Sequence, residues 1–329
     1  MPEGPYNQQG SRDEALGPDP LTRESMSTPH IPAGGQAIRK AVIPAAGLGT
    51  RLRPLTNAFP KELLPIGRKP VLAHIAAELR GAGITDALFI VSEQKPQIRS
   101  YFGDVYSGDE TDSAKERDLP PLRCSYAVQE RQRGLGDALL YAEEWAAGSS
   151  FAVAFGDCMI DATDPSAPLR RLLTAHSEYN AAATVLAETV ARDKVFRYGV
   201  LAPEDPAASI SDIPFPVKDI IEKPSPEQAP SNLVVAARWA LSARIFHFLR
   251  QVEPDIRGEL NLTDAVRALL AAGGSFWAAP LIAGEKRRDI GNFETFFTSF
   301  VRAALCDSEY GESVCRAASE ELAAVGNHP

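Results

Sequence analysis

An α/β fold is what this sequence predicts, with a mostly parallel mixed sheet and helices on both faces. Two observations carry that reading. From Ala41 onward, short apolar runs alternate with longer stretches of helical periodicity. The first apolar run also breaks directly into a glycine loop, Gly47-Leu48-Gly49. A Rossmann-like sheet binds its ligand at such a place, beyond the carboxyl ends of its strands.

The elements follow in order. Residues 1–36 are rich in Gly, Pro, Ser, Gln and charge. They carry too little apolar surface to offset chain entropy, so a disordered tail is expected there. Ala41–Ala46 is apolar enough for a strand buried on both faces. Val71–Ala82 sets Val71, Leu72, Ile75 and Leu79 on one side, which predicts a helix. Ala87–Val91 is a second buried strand, and Gln97–Tyr101 opens a short helix. The polar stretch Asp104–Leu119 reads as a surface insertion. Arg123–Val128 is a strand, Gly136–Ala147 a helix and Ser150–Phe155 a strand, and Ala181–Ala187 repeats the pattern. Beyond it, Asp193–Val200, Val217–Pro224 and Leu233–Leu241 read as short strands. Ala243–Arg250 and Thr263–Ala271 read as helices, the second with Thr263 as its N-cap. Phe296–Leu305 is expected to be a helix that packs back on the core.

Composition narrows the function. With 329 residues the chain can bury a large core in one or two domains. Its net charge of −9 argues against a nucleic-acid partner, which would need a basic face. A small anionic substrate is still allowed, because only the field at its pocket matters. Cys124, Cys158, Cys306 and Cys315 show no metal-ligand spacing and fit reduced thiols, which implies a cytoplasmic setting. No apolar window reaches the roughly 18 residues of a membrane helix. The N-terminus also lacks the basic and apolar regions of a signal peptide.

The residues around the glycine loop suggest phosphate chemistry. Glycines let backbone N–H groups approach a ligand closely. Arg51 and Arg53 lie just beyond them, and Pro60-Lys61-Glu62-Leu-Leu-Pro65 adds another cation. Amides and guanidiniums together make a polyphosphate cradle. Asp157 follows the apolar run Phe151–Phe155, a position suited to holding Mg²⁺. Asp161 and Asp164 read only as capping or turn residues.

Taken together, several motifs make the chain resemble the sugar-1-phosphate nucleotidyltransferases, in particular their uridylyltransferase branch. They are Ala45-Ala46-Gly-Leu-Gly-Thr50-Arg51, Pro60-Lys-Glu-Leu-Leu-Pro65, Gly134-Leu-Gly-Asp-Ala138 and Gly156-Asp157. They continue with Arg197-Tyr198-Gly199-Val200, Glu222-Lys223-Pro-Ser-Pro226, Ala229-Pro-Ser-Asn232, Leu260-Asn-Leu-Thr-Asp264 and Asp289-Ile-Gly-Asn292. The resemblance covers about Ile38 to Leu305. It implies the nucleotide-diphospho-sugar transferase type of fold with a smaller sugar-binding β region. A nucleotidyltransferase domain would span 37–305, its sugar-binding half about 180–290, followed by a helical tail over 306–329.

The resemblance also implies a reaction. An oxygen of glucose 1-phosphate attacks the α-phosphate of UTP and pyrophosphate leaves, with Mg²⁺ held by Asp157 and Asp289. Arg51 and Lys61 would hold the triphosphate and Lys223 the sugar phosphate. Ala45, Ala46, Gly47, Gly49, Thr50, Gln129 and Gly134 would bind the nucleotide, Gln129 by pairing with the uracil edge. Tyr198, Gly199 and Glu222 would hold the sugar, and the chain would form a homo-oligomer. Four departures from the branch pattern leave the sugar open: Asn57, Asn261, Arg288 and the run Phe293-Glu-Thr-Phe296. Use of dTTP or another sugar 1-phosphate stays open too, as does a non-catalytic role in binding sugar nucleotides. A dinucleotide-dependent dehydrogenase is disfavoured because the loop lacks a third glycine.

Overall fold

The computed structural model describes residues 37–207 and 212–325; the expected N-terminal tail lies outside them. Its large sheet runs, from one edge, through Gly199–Pro203, Phe215–Glu222, Phe276–Pro280, Ala183–Thr189, Leu233–Leu241, Phe151–Ala154, Lys40–Pro44, Asp86–Val91, Leu122–Val128 and Val105–Tyr106. The strands from Phe151–Ala154 to Leu122–Val128 are parallel. In the other half the pairing is mixed, with antiparallel ladders from Leu233–Leu241 to both its neighbours. A parallel nucleotide-type half is thus joined to a mainly antiparallel one. Among the described residues no helix is long and apolar enough to cross a membrane.

Side-chain alternation explains why both faces need helices. Leu88 and Ile90 belong to one apolar cluster, while Ala87, Phe89 and Val91 belong to the cluster on the opposite face. Helices Gly134–Leu140, Ile245–Leu249 and Leu262–Ala271 cover the first face; Val71–Gly81 and Ala167–Glu178 cover the second. The apolar helix Phe293–Leu305 packs on a smaller cluster through Phe296 and leaves Phe297, Phe300 and Val301 exposed.

Several expectations need correction. The segment read as a strand over Asp193–Val200 is a 3-10 helix, Arg192–Arg197, and the strand begins only at Gly199. The single helix expected over Gly136–Ala147 is two short ones, Gly134–Leu140 and Glu143–Ala146. Asn261, not Thr263, is the N-cap residue of Leu262–Ala271, and the Thr263 hydroxyl donates to Glu222 instead. Asp161 is neither cap nor turn: it ends the strand Cys158–Asp161 and accepts from both Arg288 and Arg302. Asp164 does accept a backbone N–H, from Ser166. The insertion over 104–119 is tied down through Asp112, buried against Lys69.

One buried ion pair fastens the second face to the sheet. Glu78, on the helix Val71–Gly81, takes two bonds from Arg238 at 2.7 and 2.6 Å. The same guanidinium donates to the carbonyl of Cys158 at 2.9 Å. Arg238 is fully buried, so removing its partner leaves an uncompensated charge. Glu78→Ala is expected to lower stability by about 3–5 kcal/mol in urea unfolding. A loss below about 1 kcal/mol would show that the guanidinium finds another partner.

Candidate active site

Each parallel strand ends in a loop that faces the same edge of the sheet, and the candidate residues collect there. The loop after Lys40–Pro44 carries Ala45 to Arg51; Asp86–Val91 leads to Lys95; Leu122–Val128 leads to Gln129; Phe151–Ala154 leads to Asp157. In the first loop Gly49 has φ +64°, and a Cβ there would stand 2.9 Å from Thr56 Cγ2. That close packing includes a hydrogen bond from Thr56 Oγ1 to the Gly49 carbonyl, 2.9 Å. Only glycine meets both conditions.

Asp157 and Asp289 are brought together by a two-stranded ribbon, Cys158–Asp161 paired antiparallel with Lys286–Asp289. Asp289 lies opposite Cys158, and Ile290 N donates to the Asp157 carbonyl at 3.1 Å. Arg51 reaches the same place: a Cβ on Gly291 would stand 3.0 Å from its Nη2 and 2.7 Å from Asp289 Oδ1. Among the described residues the Arg51 guanidinium has no carboxylate partner. Lys61 forms an ion pair with Asp157. Burial pushes the Asp157 carboxyl up, but the Lys61 ammonium and its hydrogen bond, a backbone hydrogen bond and Lys95 together hold the group below its usual range. Burial likewise lowers Lys61, and Asp157, Glu62 and Asp289 together raise it above its usual value.

A cleft of about 700 Å³ is lined by Arg51, Asp157, Asp289, Tyr198, Gly199, Glu222 and Lys223, so seven of the candidates from both halves share one space. In the mainly antiparallel half the strand Phe215–Glu222 ends in a left-handed residue, Lys223, at φ 44°. Neighbouring side chains on an extended strand point to opposite faces. The left-handed turn instead sets Lys223 beside Glu222, with Nζ 2.7 Å from Oε1. Arg287 lies over the Tyr198 ring, 4.4 Å from its centroid, and donates to Glu188 at 2.8 Å.

Other candidates stand apart. Gln129 is buried, and its amide donates to Asp137 at 2.7 Å. Gly134 packs against the Glu259–Leu260 backbone, where a Cβ would meet the Leu260 carbonyl at 2.7 Å. Neither lines the cleft, although Leu135, next to Gly134, does. Ala45 and Ala46 are buried, Gly47 and Thr50 exposed. Arg53 is exposed and takes no part in the cleft.

Sequence reading missed Lys95, Glu62, Arg287 and the contact made by Thr263. Lys95 follows the end of a parallel strand, as Asp157 does, and that position was the available signal. Among the described residues no three Asp, Glu, His or Cys side chains converge as a complete ligand set. A cation here would draw on two carboxylates and complete its shell with substrate oxygens and water.

Comparisons with known proteins agree with this arrangement. Residues 40–304 match the model of the nucleotidyl transferase family. A UTP–glucose-1-phosphate uridylyltransferase of Streptococcus pneumoniae serotype 4 is 38% identical over 241 residues, 70% of this chain and 80% of that protein. Among solved structures, a UDP-glucose pyrophosphorylase complexed with UDP-glucose is similar with a TM-score of 0.69 at 28% identity, covering 80% of this chain and 97% of that one. A UTP-bound UGPase from Acinetobacter baumannii shares the fold, with a TM-score of 0.73 at 24% identity over 86% of this chain and 99% of that one. With its sheet, its strand-end loops and nearly all of its described length accounted for, this chain belongs to the nucleotidyl transferase family.

Proposed function

We propose that the chain transfers the uridylyl group of UTP to glucose 1-phosphate, giving UDP-glucose and pyrophosphate. The single observation that carries this reading is the cleft that joins Arg51, Asp157 and Asp289 to Tyr198, Glu222 and Lys223. A triphosphate on the first set and a sugar phosphate on the second would meet over the ribbon that presents the two aspartates. The kinship to uridylyltransferases and UDP-glucose pyrophosphorylases supports the choice of substrates.

The chemistry follows from charge. A phosphate oxygen of the sugar forms a bond to the α-phosphorus while the bond to the bridging oxygen of pyrophosphate breaks. Both reactants are anionic, so positioning and electrostatic stabilisation dominate. Arg51 offers two forked donors to the triphosphate, and Lys61 offers a point charge. Lys223 neutralises the sugar phosphate, and Glu222, already accepting from Thr263, is placed to accept from sugar hydroxyls. Asp157 and Asp289 would hold Mg²⁺, which screens the charge that builds up between the two phosphates.

Pyrophosphate release, measured with Mg²⁺ for UTP, dTTP, CTP, ATP and GTP against several sugar 1-phosphates, is expected to peak for UTP with glucose 1-phosphate. A clear preference for dTTP or for another sugar would overturn the substrate assignment. Asp157→Asn should lower turnover by about 100-fold or more while UTP binding stays measurable by calorimetry. Unchanged turnover would remove the metal assignment. Lys223→Ala is expected to raise KM for glucose 1-phosphate by about 10-fold or more, with KM for UTP nearly constant. The reverse pattern would move Lys223 to the nucleotide side.

A further inference from the structure

Behind the glycine loop lies a buried charge that the proposed reaction does not use. Lys95 Nζ donates to the carbonyls of Ala45 at 2.7 Å and Gly47 at 2.6 Å, and to both oxygens of Glu62 at 2.9 and 2.7 Å. An ammonium has three N–H donors, and these four acceptors use all of them. Lys95 therefore has nothing left to offer a substrate, and both it and Glu62 are buried. In front of it, among the described residues, the N–H groups of Ala46, Gly47, Leu48 and Gly49 have no protein acceptor.

The two facts are connected by peptide geometry. In a trans peptide the C=O and N–H point in opposite directions. Drawing the Ala45 and Gly47 carbonyls inward onto Lys95 turns the Ala46 and Leu48 N–H groups outward, as an anion-binding nest requires. Glu62 extends the tie. It neighbours Lys61 in sequence, and a Cβ on Gly156, next to Asp157, would stand 3.2 Å from its Cγ. The Lys95–Glu62 pair thus lies behind the amide loop, the Lys61 segment and the Asp157 turn together.

We infer that Lys95 is a positioning residue for the nucleotide, holding the loop amides toward the triphosphate through the carbonyls of Ala45 and Gly47. The inference rests on the assignment of the Ala45–Arg51 loop to the triphosphate. Steady-state kinetics with thermal melting tests it on Lys95→Met, Lys95→Arg, the double variant Lys95→Met/Glu62→Met, and Arg51→Ala as the reference. Lys95→Met leaves Glu62 buried without a partner and is expected to melt early. The Met pair removes both charges and should recover much of that stability. Its loop carbonyls still lack their donor, so KM for UTP should stay raised by about 10-fold or more, with KM for glucose 1-phosphate within about twofold. Recovery of both stability and UTP affinity in the Met pair would reduce Lys95 to a structural charge and overturn the inference. Should the Met pair fail to fold, Lys95→Arg decides, because it keeps the charge and the donors: UTP affinity well above that of Lys95→Met supports the inference, and equal defects sink it. If Arg51→Ala leaves KM for UTP unchanged, the loop is not the triphosphate site, and the assignment beneath the inference fails first.

Discussion

Repulsion between two polyanions is the constraint on which the rest of this structure depends. A protein with a net charge of −9 can hold them only by concentrating cations locally. On the proposed reading the fold would do so by ending parallel strands at one edge, where the following segments carry Arg51 and Lys61. It would add Lys223 from the antiparallel half, which lines the same cleft as Arg51. Several other cations are already engaged, Arg238 with Glu78, Lys95 with Glu62 and Arg287 with Glu188, while Arg197 lines the cleft over the Phe196 ring. These pairs cancel locally, which leaves the charged groups lining the cleft to set its field.

The acids show the same economy of design. Asp157 and Asp289 are distant in sequence, yet the short ribbon Cys158–Asp161 with Lys286–Asp289 fixes their spacing through strand register. A slip of one residue would turn Asp289 to the opposite side of the ribbon. Two devices resist that slip. Arg238 bonds the Cys158 carbonyl, and Asp161 at the far end is held by Arg288 and Arg302. Arg288, which departs from the uridylyltransferase pattern, therefore has a structural role at the far end of the ribbon from the two acids.

How much could be read from sequence depended on how local each feature is. The parallel strands were legible because they are continuous apolar runs such as Ala41 to Ile43 and Ala87 to Val91. Arg51 and Asp157 were legible because strand-end position and motif coincide, and Asp289 through its motif alone. The ribbon was not, because Lys286-Arg-Arg-Asp289 is a charged tetrad whose strand character comes only from its partner. Lys95, with only its strand-end position as a signal, was missed for a related reason. A single lysine after a strand looks like surface, and only the fold shows that three carbonyl or carboxylate groups surround it. Thr263 was misread because its sequence suits an N-cap, yet Glu222 from a distant strand claims its hydroxyl.

Gln129 shows where such reading reaches its limit. Its amide is spent on Asp137, and Asp137 also takes Arg133 at 3.1 Å. The other amide hydrogen of Gln129 is directed at the Gly134 carbonyl at 3.4 Å, so both N–H donors are engaged within the protein. On the proposed nucleotide-binding role, Oε1 is the atom that would accept from a ring N–H of the base, since Asp137 and the Gly134 carbonyl hold the amide N–H groups. Uracil and thymine each carry such an N3–H and cytosine does not, so an acceptor alone is enough to separate them from cytosine. It does nothing to separate uracil from thymine. On that proposal the distinction would have to come from space around the methyl position and from the ribose; Leu135, next to Gly134, is an apolar residue that lines the cleft.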